Sequence, residues 1–264
     1  MPETRLEVKD LCYSYGNARD AADHVSFNVK KGQFVGLIGP NGSGKSTVLK
    51  NIYRALKPAE GSIILDGEDL LKMSYRESAL KMAVVGQENE LPFDFTVEEI
   101  VAMGRSPHKK LFDADNANDK QIVHHALEHL GMADMANRSY LNLSGGEKQR
   151  TIIARAVAQE SDFLILDEPT NHLDISFQIQ IFDLIKRLNT TVLSAIHDLN
   201  MAALYCDYVY VLKDGRIVLE GTPDDVLTVE NISNVYGVDC CVSRHPVTDK
   251  MSITFLPAGI KTKE

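Results

Sequence analysis

One glycine-rich segment of eight residues, Gly39-Pro40-Asn41-Gly42-Ser43-Gly44-Lys45-Ser46, constrains the fold of this chain more than any other feature. It fits G-x-x-x-x-G-K-[ST], the pattern of a phosphate-binding loop. Such a loop needs glycines because its backbone N–H groups must point at phosphate oxygens. The apolar run Val35-Gly36-Leu37-Ile38 precedes it, and helical spacing from Lys45 to Leu56 follows it. This strand–loop–helix order is the one that the motif requires, and it predicts an α/β protein that binds a nucleotide.

The side chains of the loop have distinct expected roles. Lys45 is predicted to contact the β- and γ-phosphates, Ser46 to ligate Mg²⁺ through its hydroxyl, and Thr47 to donate to the α-phosphate. The predicted nucleotide-binding residues of this segment are Gly39, Pro40, Asn41, Gly42, Ser43, Gly44, Lys45, Ser46 and Thr47.

Two further apolar runs end in polar side chains. Phe163-Leu164-Ile165-Leu166 leads directly into Asp167 and Glu168, and Thr191-Val192-Leu193-Ser194-Ala195-Ile196 leads into His197. Open α/β sheets place ligand groups at the carboxyl ends of their strands. Asp167 is therefore predicted to hold Mg²⁺, directly or through water, and Glu168 to act as the general base for an attacking water.

Composition excludes some classes of protein. The chain has 264 residues and a net charge of −9, which disfavours nucleic acid or an anionic membrane surface as the main partner. Its four cysteines form no C-x-x-C pattern, and we interpret them, Cys240-Cys241 included, as unreactive thiols in a reducing cytoplasm. No apolar signal region occurs, and no apolar run approaches the ~20 residues of a membrane helix. We expect a cytosolic protein that reaches a membrane only through a partner.

Short apolar runs alternate with helical patterns, which predicts α/β architecture in a single domain. Val25, Phe27 and Val29 alternate with polar residues, which predicts an antiparallel β subdomain near the N-terminus. Thr96 and Glu99 have the spacing of a capping box, in a middle region with few strand signals. We expect residues 1–264 to form one nucleotide-binding domain. Within it, 1–87 and 159–264 form an α/β core with the β subdomain and a C-terminal tail, and 88–158 form a helical subdomain.

A second segment, Leu143-Ser144-Gly145-Gly146-Glu147-Lys148-Gln149-Arg150, resembles the signature of ATP-binding-cassette (ABC) ATPases. Together with the phosphate loop, this resemblance covers essentially the whole chain. It implies a P-loop NTPase core with a mixed parallel sheet, and an ATPase that closes as a homodimer around ATP. Ser144, Gly145, Gly146 and Glu147 would face the γ-phosphate of ATP held by the other subunit, where the capping-box spacing of Ser144 and Glu147 predicts a helix N-terminus.

The same resemblance implies roles for four isolated residues. Tyr15 looks like the aromatic side chain that stacks on adenine, although a strand-end tyrosine is an alternative reading. Gln87 looks like the glutamine that reaches Mg²⁺ and the attacking water. Asp174, in Asn171-His172-Leu173-Asp174, resembles the aspartate that crosses the dimer interface, and His197 resembles the switch histidine that contacts the γ-phosphate.

The stretch Phe95–His108 narrows the resemblance to one group within the ABC ATPases. It is similar to a segment of the ATPases that serve ferric-siderophore, haem and cobalamin importers. That group often has glycine where Asp249 stands, and many relatives have proline where Gly86 stands. The resemblance implies ATP-driven uptake of such a ligand through an integral membrane permease, indirectly with an extracytoplasmic substrate-binding protein. The chain would then be peripheral, on the cytoplasmic face of the membrane.

Two other functions remain open at this point. The chain could serve another ABC transporter, such as one for metal ions or lipids, or it could be a soluble cassette ATPase of Fe–S cluster assembly. Neither a second set of ATPase motifs nor a long coiled coil occurs, which argues against the translation and DNA-repair types.

Overall fold

The computed structural model describes residues 3–16, 20–86, 93–110, 116–171 and 173–257. Residues 1–69 with 191–264 form one compact unit, and residues 70–190 form a second. The strands are β1 (Thr4–Ser14), β2 (Asp20–Lys30), β3 (Phe34–Ile38), β4 (Glu60–Leu65), β5 (Glu68–Asp69), β6 (Ala83–Val85), β7 (Phe163–Asp167), β8 (Thr191–Ala195), β9 (Tyr208–Lys213), β10 (Arg216–Gly221), β11 (Cys240–Arg244) and β12 (Met251–Phe255). The α-helices are α1 (Lys45–Ile52), α2 (Tyr75–Lys81), α3 (Val97–Ala102), α4 (Ala117–His129), α5 (Gly145–Ala158), α6 (Ile175–Arg187), α7 (Leu199–Tyr205), α8 (Pro223–Val226) and α9 (Val229–Tyr236).

The first unit contains the predicted antiparallel sheet, in the order β2-β1-β4-β5. Val25, Phe27 and Val29 of β2 are almost completely buried, and Phe27 and Val29 pair with Val8 and Leu6 of β1. The alternation of apolar and polar residues therefore marks the buried face of this sheet, and both the antiparallel element and the α/β fold class are confirmed.

The first unit also contains strands in the order β10-β9-β3-β8, with β3 parallel to both β8 and β9. Every residue of β3 and β8 is buried, as expected of continuous apolar strands in a parallel arrangement. Beyond the end of β8, Ile196 N still donates to Leu37 O at 3.1 Å. Since parallel strands end at the same edge, Gly39 and His197 follow their strands at one edge of the sheet.

The helix that follows β3 is shorter than its apolar spacing suggests. Val48, Leu49 and Ile52 are fully buried, but α1 ends at Ile52 and does not continue to Leu56. Arg54 adopts φ +65°, a left-handed conformation that ends a helix.

The second unit pairs β6 and β7 in parallel and contains the helical segment that the sequence predicts. The capping box at the start of α3 is confirmed: Thr96 Oγ1 accepts from Glu99 N at 3.2 Å, and Thr96 N donates to Glu99 Oε2 at 2.7 Å. Hydrogen bonds from the Thr96 backbone and side chain lower the pKa of Glu99, so the carboxylate stays ionised beside the helix N-terminus.

Asp119 is a buried acidic residue near the start of α4. It lies in the first turn of α4, where its backbone N–H donates to Asn116 Oδ1 at 2.9 Å. Its buried carboxylate accepts from Arg105 Nε at 2.9 Å, and this hydrogen bond lowers the pKa of Asp119. Arg105 also donates to Ala158 O at 2.8 Å, and a 3₁₀ helix covers Met103–His108. A buried ion pair therefore anchors this 3₁₀ helix. In the sequence, its Gly and Pro residues indicate only the end of a helix.

Within the part of the chain that the structure describes, no helix combines the length and apolarity needed to span a bilayer.

A packing constraint at Gly104 gives a stability prediction. A Cβ atom at Gly104 would collide with the backbone carbonyl of Arg155, whereas one at Gly86 meets no described atom within 4 Å. We expect Gly104→Ala to lower the free energy of unfolding by about 2 kcal/mol, the cost of overpacking. We expect Gly86→Ala, the matched control, to change it by less than about 0.5 kcal/mol. Urea unfolding followed by circular dichroism measures both, and equal effects would contradict the packing argument.

Candidate functional site

The backbone of the phosphate loop depends on its glycines. Gly39, Gly42 and Gly44 have φ values of 148°, 76° and 107°, a region that favours glycine. A Cβ atom on Gly39 would also collide with the carbonyl oxygen of Leu212, and one on Gly44 with that of Ala21. The backbone of the first unit therefore shapes and encloses the loop.

Lys45 supplies a positive charge at the centre of this loop. Its side chain is buried, and Nζ donates to Gly39 O at 2.9 Å and to Pro40 O at 3.1 Å. The ammonium is thus held where an anion between the loop and α1 would meet it.

The N-terminus of α1 has the character of an anion site. Gly44 caps it with backbone only, and no acidic residue occurs in the first turn. The hydroxyl of Ser43 is buried without a hydrogen-bond partner among the described residues. A helix N-terminus without an acidic residue in its first turn is favourable for phosphate.

A turn that the sequence reasoning missed supports this loop from outside. Gly215 N, between β9 and β10, donates to Ser43 O at 3.0 Å, and Gly215 O accepts from Asp23 N at 2.8 Å. The Asp214-Gly215 dipeptide is a turn signal in the sequence, but its contact with the loop depends on the tertiary fold.

Tyr15 lies close to the phosphate loop, just after β1. Its hydroxyl is 3.4 Å from Thr47 Oγ1, and its ring packs edge-on against Tyr13 with centroids 5.0 Å apart. About half of the side chain is exposed (51%), so surface of the ring remains for a further stacking partner. This placement suits adenine stacking, and the role itself stays a prediction.

The predicted switch histidine borders the loop. His197 is exposed directly after β8, and with Gly39, Pro40 and Asn41 it lines a cavity of about 440 Å³ in the first unit. The parallel pairing of β3 and β8 thus places His197 beside the phosphate loop, and its role at the γ-phosphate stays a prediction.

The paired carboxylates lie in the second unit, at the end of β7. Asp167 is completely buried, and Glu168 follows in a left-handed conformation with φ +52°. Asn171 Nδ2 donates to Glu168 Oε2 at 2.7 Å, a support for the carboxylate that the sequence reasoning did not identify. Gln87 follows β6, the strand paired with β7, but it lies outside the described residues.

The signature segment starts helix α5 with a complete capping box. Ser144 N and Ser144 Oγ both donate to Glu147 Oε2 at 2.7 Å, and Glu147 N donates back to Ser144 Oγ at 3.4 Å. These hydrogen bonds with Ser144 lower the pKa of Glu147. The predicted helix start is confirmed. Glu147 is engaged in its own helix, and its part in nucleotide binding stays a prediction.

The glycines of the signature pack against the start of α6 within the second unit. A Cβ atom on Gly146 would lie 3.0 Å from Phe177 Cδ1, and one on Gly145 would lie 3.6 Å from Leu173 Cδ2. Gln178 Nε2 donates to Leu173 O at 2.9 Å. Asp174 caps α6 through its backbone, while its exposed carboxylate makes no capping hydrogen bond in the described part of the chain.

Comparisons with known proteins agree on one family. The family model described as ABC transporter matches residues 22–171. The iron(3+)-hydroxamate import ATP-binding protein FhuC of Bacillus subtilis is 40% identical over 249 residues, which cover 93% of this chain and 92% of that protein. The cobalamin import ATP-binding protein BtuD of Halobacterium salinarum is 38% identical over 256 residues, which cover 96% of this chain and 64% of that protein.

Solved structures give the same result. An inward-facing structure described as a metal-chelate type ABC transporter superposes with a TM-score of 0.83 at 27% identity, covering 97% of this chain and 98% of that chain. A dimeric ATP-binding cassette, MJ0796, bound to ADP and phosphate superposes with a TM-score of 0.73 at 30% identity, covering 83% of this chain and 98% of that chain. The phosphate loop, the signature and these similarities lead to one conclusion: this chain belongs to the ABC transporter family, as an ATP-binding subunit that hydrolyses ATP.

Proposed function

We propose that this chain powers the import of a ferric siderophore or a related metal chelate, by hydrolysing ATP in a homodimer attached to a membrane permease. The observation that carries the proposal is the preformed phosphate loop with Lys45 at its centre, in a chain 40% identical to a ferric-hydroxamate import protein. The cobalamin import relative makes a corrinoid the second candidate ligand.

The residues present fit a Mg²⁺-nucleotide. The loop offers glycine backbone, a buried ammonium group, and the buried Ser43 hydroxyl that has no partner among the described residues. Ser46, Gln87 and Asp167 would hold Mg²⁺, with hydroxyl, amide and carboxylate oxygens of the kind that this ion prefers. When bound, Mg²⁺ neutralises charge on the β- and γ-phosphates.

Glu168 is the proposed general base. The hydrogen bond from Asn171 Nδ2 to Glu168 Oε2 orients the carboxylate that would accept a proton from the attacking water. Glu168 accepts a proton as the water oxygen bonds to the γ-phosphorus, and the bond to the β–γ bridging oxygen breaks to release ADP. Lys45 and His197 stabilise the negative charge on the transferring phosphoryl group.

One chain carries one phosphate loop and one signature, so two copies supply two complete sites. The proposal assigns Ser144, Gly145 and Gly146 to the ATP of the partner, and the exposed carboxylate of Asp174 to the interface between copies. The dimeric relative with ADP and phosphate supports this arrangement. ATP then stabilises the closed dimer, and hydrolysis removes that stabilisation, which is the condition for a ligand-driven conformational change.

The permease would convert opening and closing into alternating access, and the chain would lie at the cytoplasmic face of the membrane through it. In this proposal the helical subdomain, 88–158, carries the signature. The core formed by 1–87 and 159–264 carries the phosphate loop.

Replacement of the proposed base tests the mechanism. We expect Glu168→Gln to lower kcat for ATP at least about 100-fold, a typical contribution of general-base catalysis, and to accumulate an ATP-bound dimer. Phosphate release and size-exclusion chromatography with ATP measure the two effects. Glu230→Gln, at an exposed position of α9, is the matched control and should retain wild-type activity. Hydrolysis by Glu168→Gln at the wild-type rate would show that another group is the base.

A comparison of two equivalent capping boxes distinguishes a role of Ser144 in stability from a role in ATP hydrolysis. Ser144→Ala and Thr96→Ala each remove an N-cap hydroxyl from a complete box, and each should cost about 1 kcal/mol of stability. Only Ser144→Ala should lower ATPase activity, by about 100-fold, because it removes a hydroxyl that is proposed to contact the transferring phosphoryl group. Equal activity of the two variants would assign Ser144 a capping role alone.

Uptake in cells tests the ligand class. In cells that lack this gene, we expect radioiron uptake from a ferric siderophore to be lost and to return with the wild-type gene but not with Glu168→Gln. Uptake of radiolabelled cobalamin in the same cells is the parallel measurement. Restored cobalamin uptake with unchanged iron uptake would favour the second ligand.

A further inference from the structure

The C-terminal hairpin formed by β11 and β12 is joined to helix α7 by one side chain. Asn200 Oδ1 accepts from Ile253 N at 2.8 Å, and Asn200 Nδ2 donates to Ile253 O at 3.2 Å. The side-chain amide of asparagine has one donor group and one acceptor side by side, as a peptide group does. Asn200 therefore pairs with the outer edge of β12 as a neighbouring strand would.

This pairing gives the hairpin a support that it needs. An isolated two-stranded hairpin is marginally stable in water, and β11 and β12 pair only with each other among the described strands. Ile253 is buried (4% exposed), so its side chain and its backbone are both occupied. The contact constrains both elements. The two hydrogen bonds of Asn200 hold β12 against α7, and they also hold the start of α7 against β12.

Asn200 lies three residues after the predicted switch histidine. Asp198 Oδ1 accepts from Asn200 N at 2.7 Å and from Met201 N at 3.2 Å, which closes the turn that follows His197. The backbone hydrogen bond from Ile196 N to Leu37 O of β3 holds this turn on one side, and Asn200 holds it on the other.

The segment before the hairpin reaches the phosphate loop as well. The hydroxyl oxygen of Tyr236, at the end of α9, is buried beside the backbone of Gly39, and burial raises the pKa of Tyr236. Tyr236, Val238 and Phe255 form the tail side of the cavity that the loop and His197 line. The C-terminal tail thus borders both segments of the first unit that would contact the γ-phosphate.

We propose that Asn200 is a positioning residue for ATP hydrolysis: it fixes the turn that carries His197 to the C-terminal hairpin. This inference rests on the proposed role of His197 at the γ-phosphate. The hairpin is then a part of the hydrolytic site. ATP binding depends on the phosphate loop and Tyr15, so loss of Asn200 should affect turnover and not nucleotide affinity.

The test compares Asn200→Ala with Asn231→Ala in the full-length protein. Asn231 Nδ2 donates to Val226 O at 2.9 Å, so the control removes a similar side chain-to-backbone bond in the same unit without facing His197. Asn200→Ala should lower kcat about tenfold, as displacement of a catalytic group does, and should leave the KM for ATP within about twofold. Asn231→Ala should retain wild-type kcat and KM, although its Tm should fall by a similar amount.

Asn200→Asp gives a second, independent readout. Its ionised carboxylate can accept from Ile253 N but repels Ile253 O, whereas the protonated form donates to that carbonyl as asparagine does. The ratio of kcat for Asn200→Asp to kcat for wild type should therefore rise as pH falls from 8 to 5.5, while the ratio for Asn200→Ala stays flat. If Asn200→Ala is unfolded at the assay temperature, this pH profile decides the question.

The outcomes separate this inference from the proposed function. If Glu168→Gln is inactive while the Asn200 variants match Asn231→Ala, Asn200 is only structural and this inference fails alone. If Glu168→Gln hydrolyses ATP at the wild-type rate, the assignment of the base fails, while the kcat of the Asn200 variants relative to Asn231→Ala still decides the positioning role. A selective, pH-reversible fall in kcat supports the positioning role.

Discussion

The parallel pairing of β3 and β8 is the interaction on which the first unit depends. Both strands are buried along their whole length, and their hydrogen bonds continue to Ile196. Because parallel strands end together, this pairing places the phosphate loop and His197 at one edge without a direct bond between them. A shift in strand register would move His197 away from the loop, so the chemistry depends on backbone geometry before any side chain acts.

The phosphate loop adds a second constraint, because the surrounding backbone leaves space only for glycine at two of its positions. The carbonyl oxygens of Leu212 and Ala21 fill the space that side chains at Gly39 and Gly44 would need. The Gly215 turn then holds the loop from outside. A preorganised loop of this kind binds an anion without spending free energy on its own ordering, and the buried ammonium of Lys45 is already in place.

Capping boxes recur in this chain and serve different ends. In α3 the pair Thr96 and Glu99 starts a helix, and we assign this capping box no further role. In α5 the same arrangement orders Ser144, where an exposed helix start with glycine backbone is also suited to an anion. The same capping box thus stabilises a helix start in α3 and is also suited to anion binding in α5. Only the resemblance of the α5 segment to the ABC signature indicates this second role.

The sequence by itself determined the phosphate loop, the carboxylates Asp167 and Glu168, and the capping boxes, because these depend on residues close together in the chain. Tertiary structure alone decided that Arg105 and Asp119 form a buried ion pair and that Asn200 pairs with β12. Such contacts join residues 14 and 53 positions apart. Their partners are chosen by packing, which periodicity and spacing do not record.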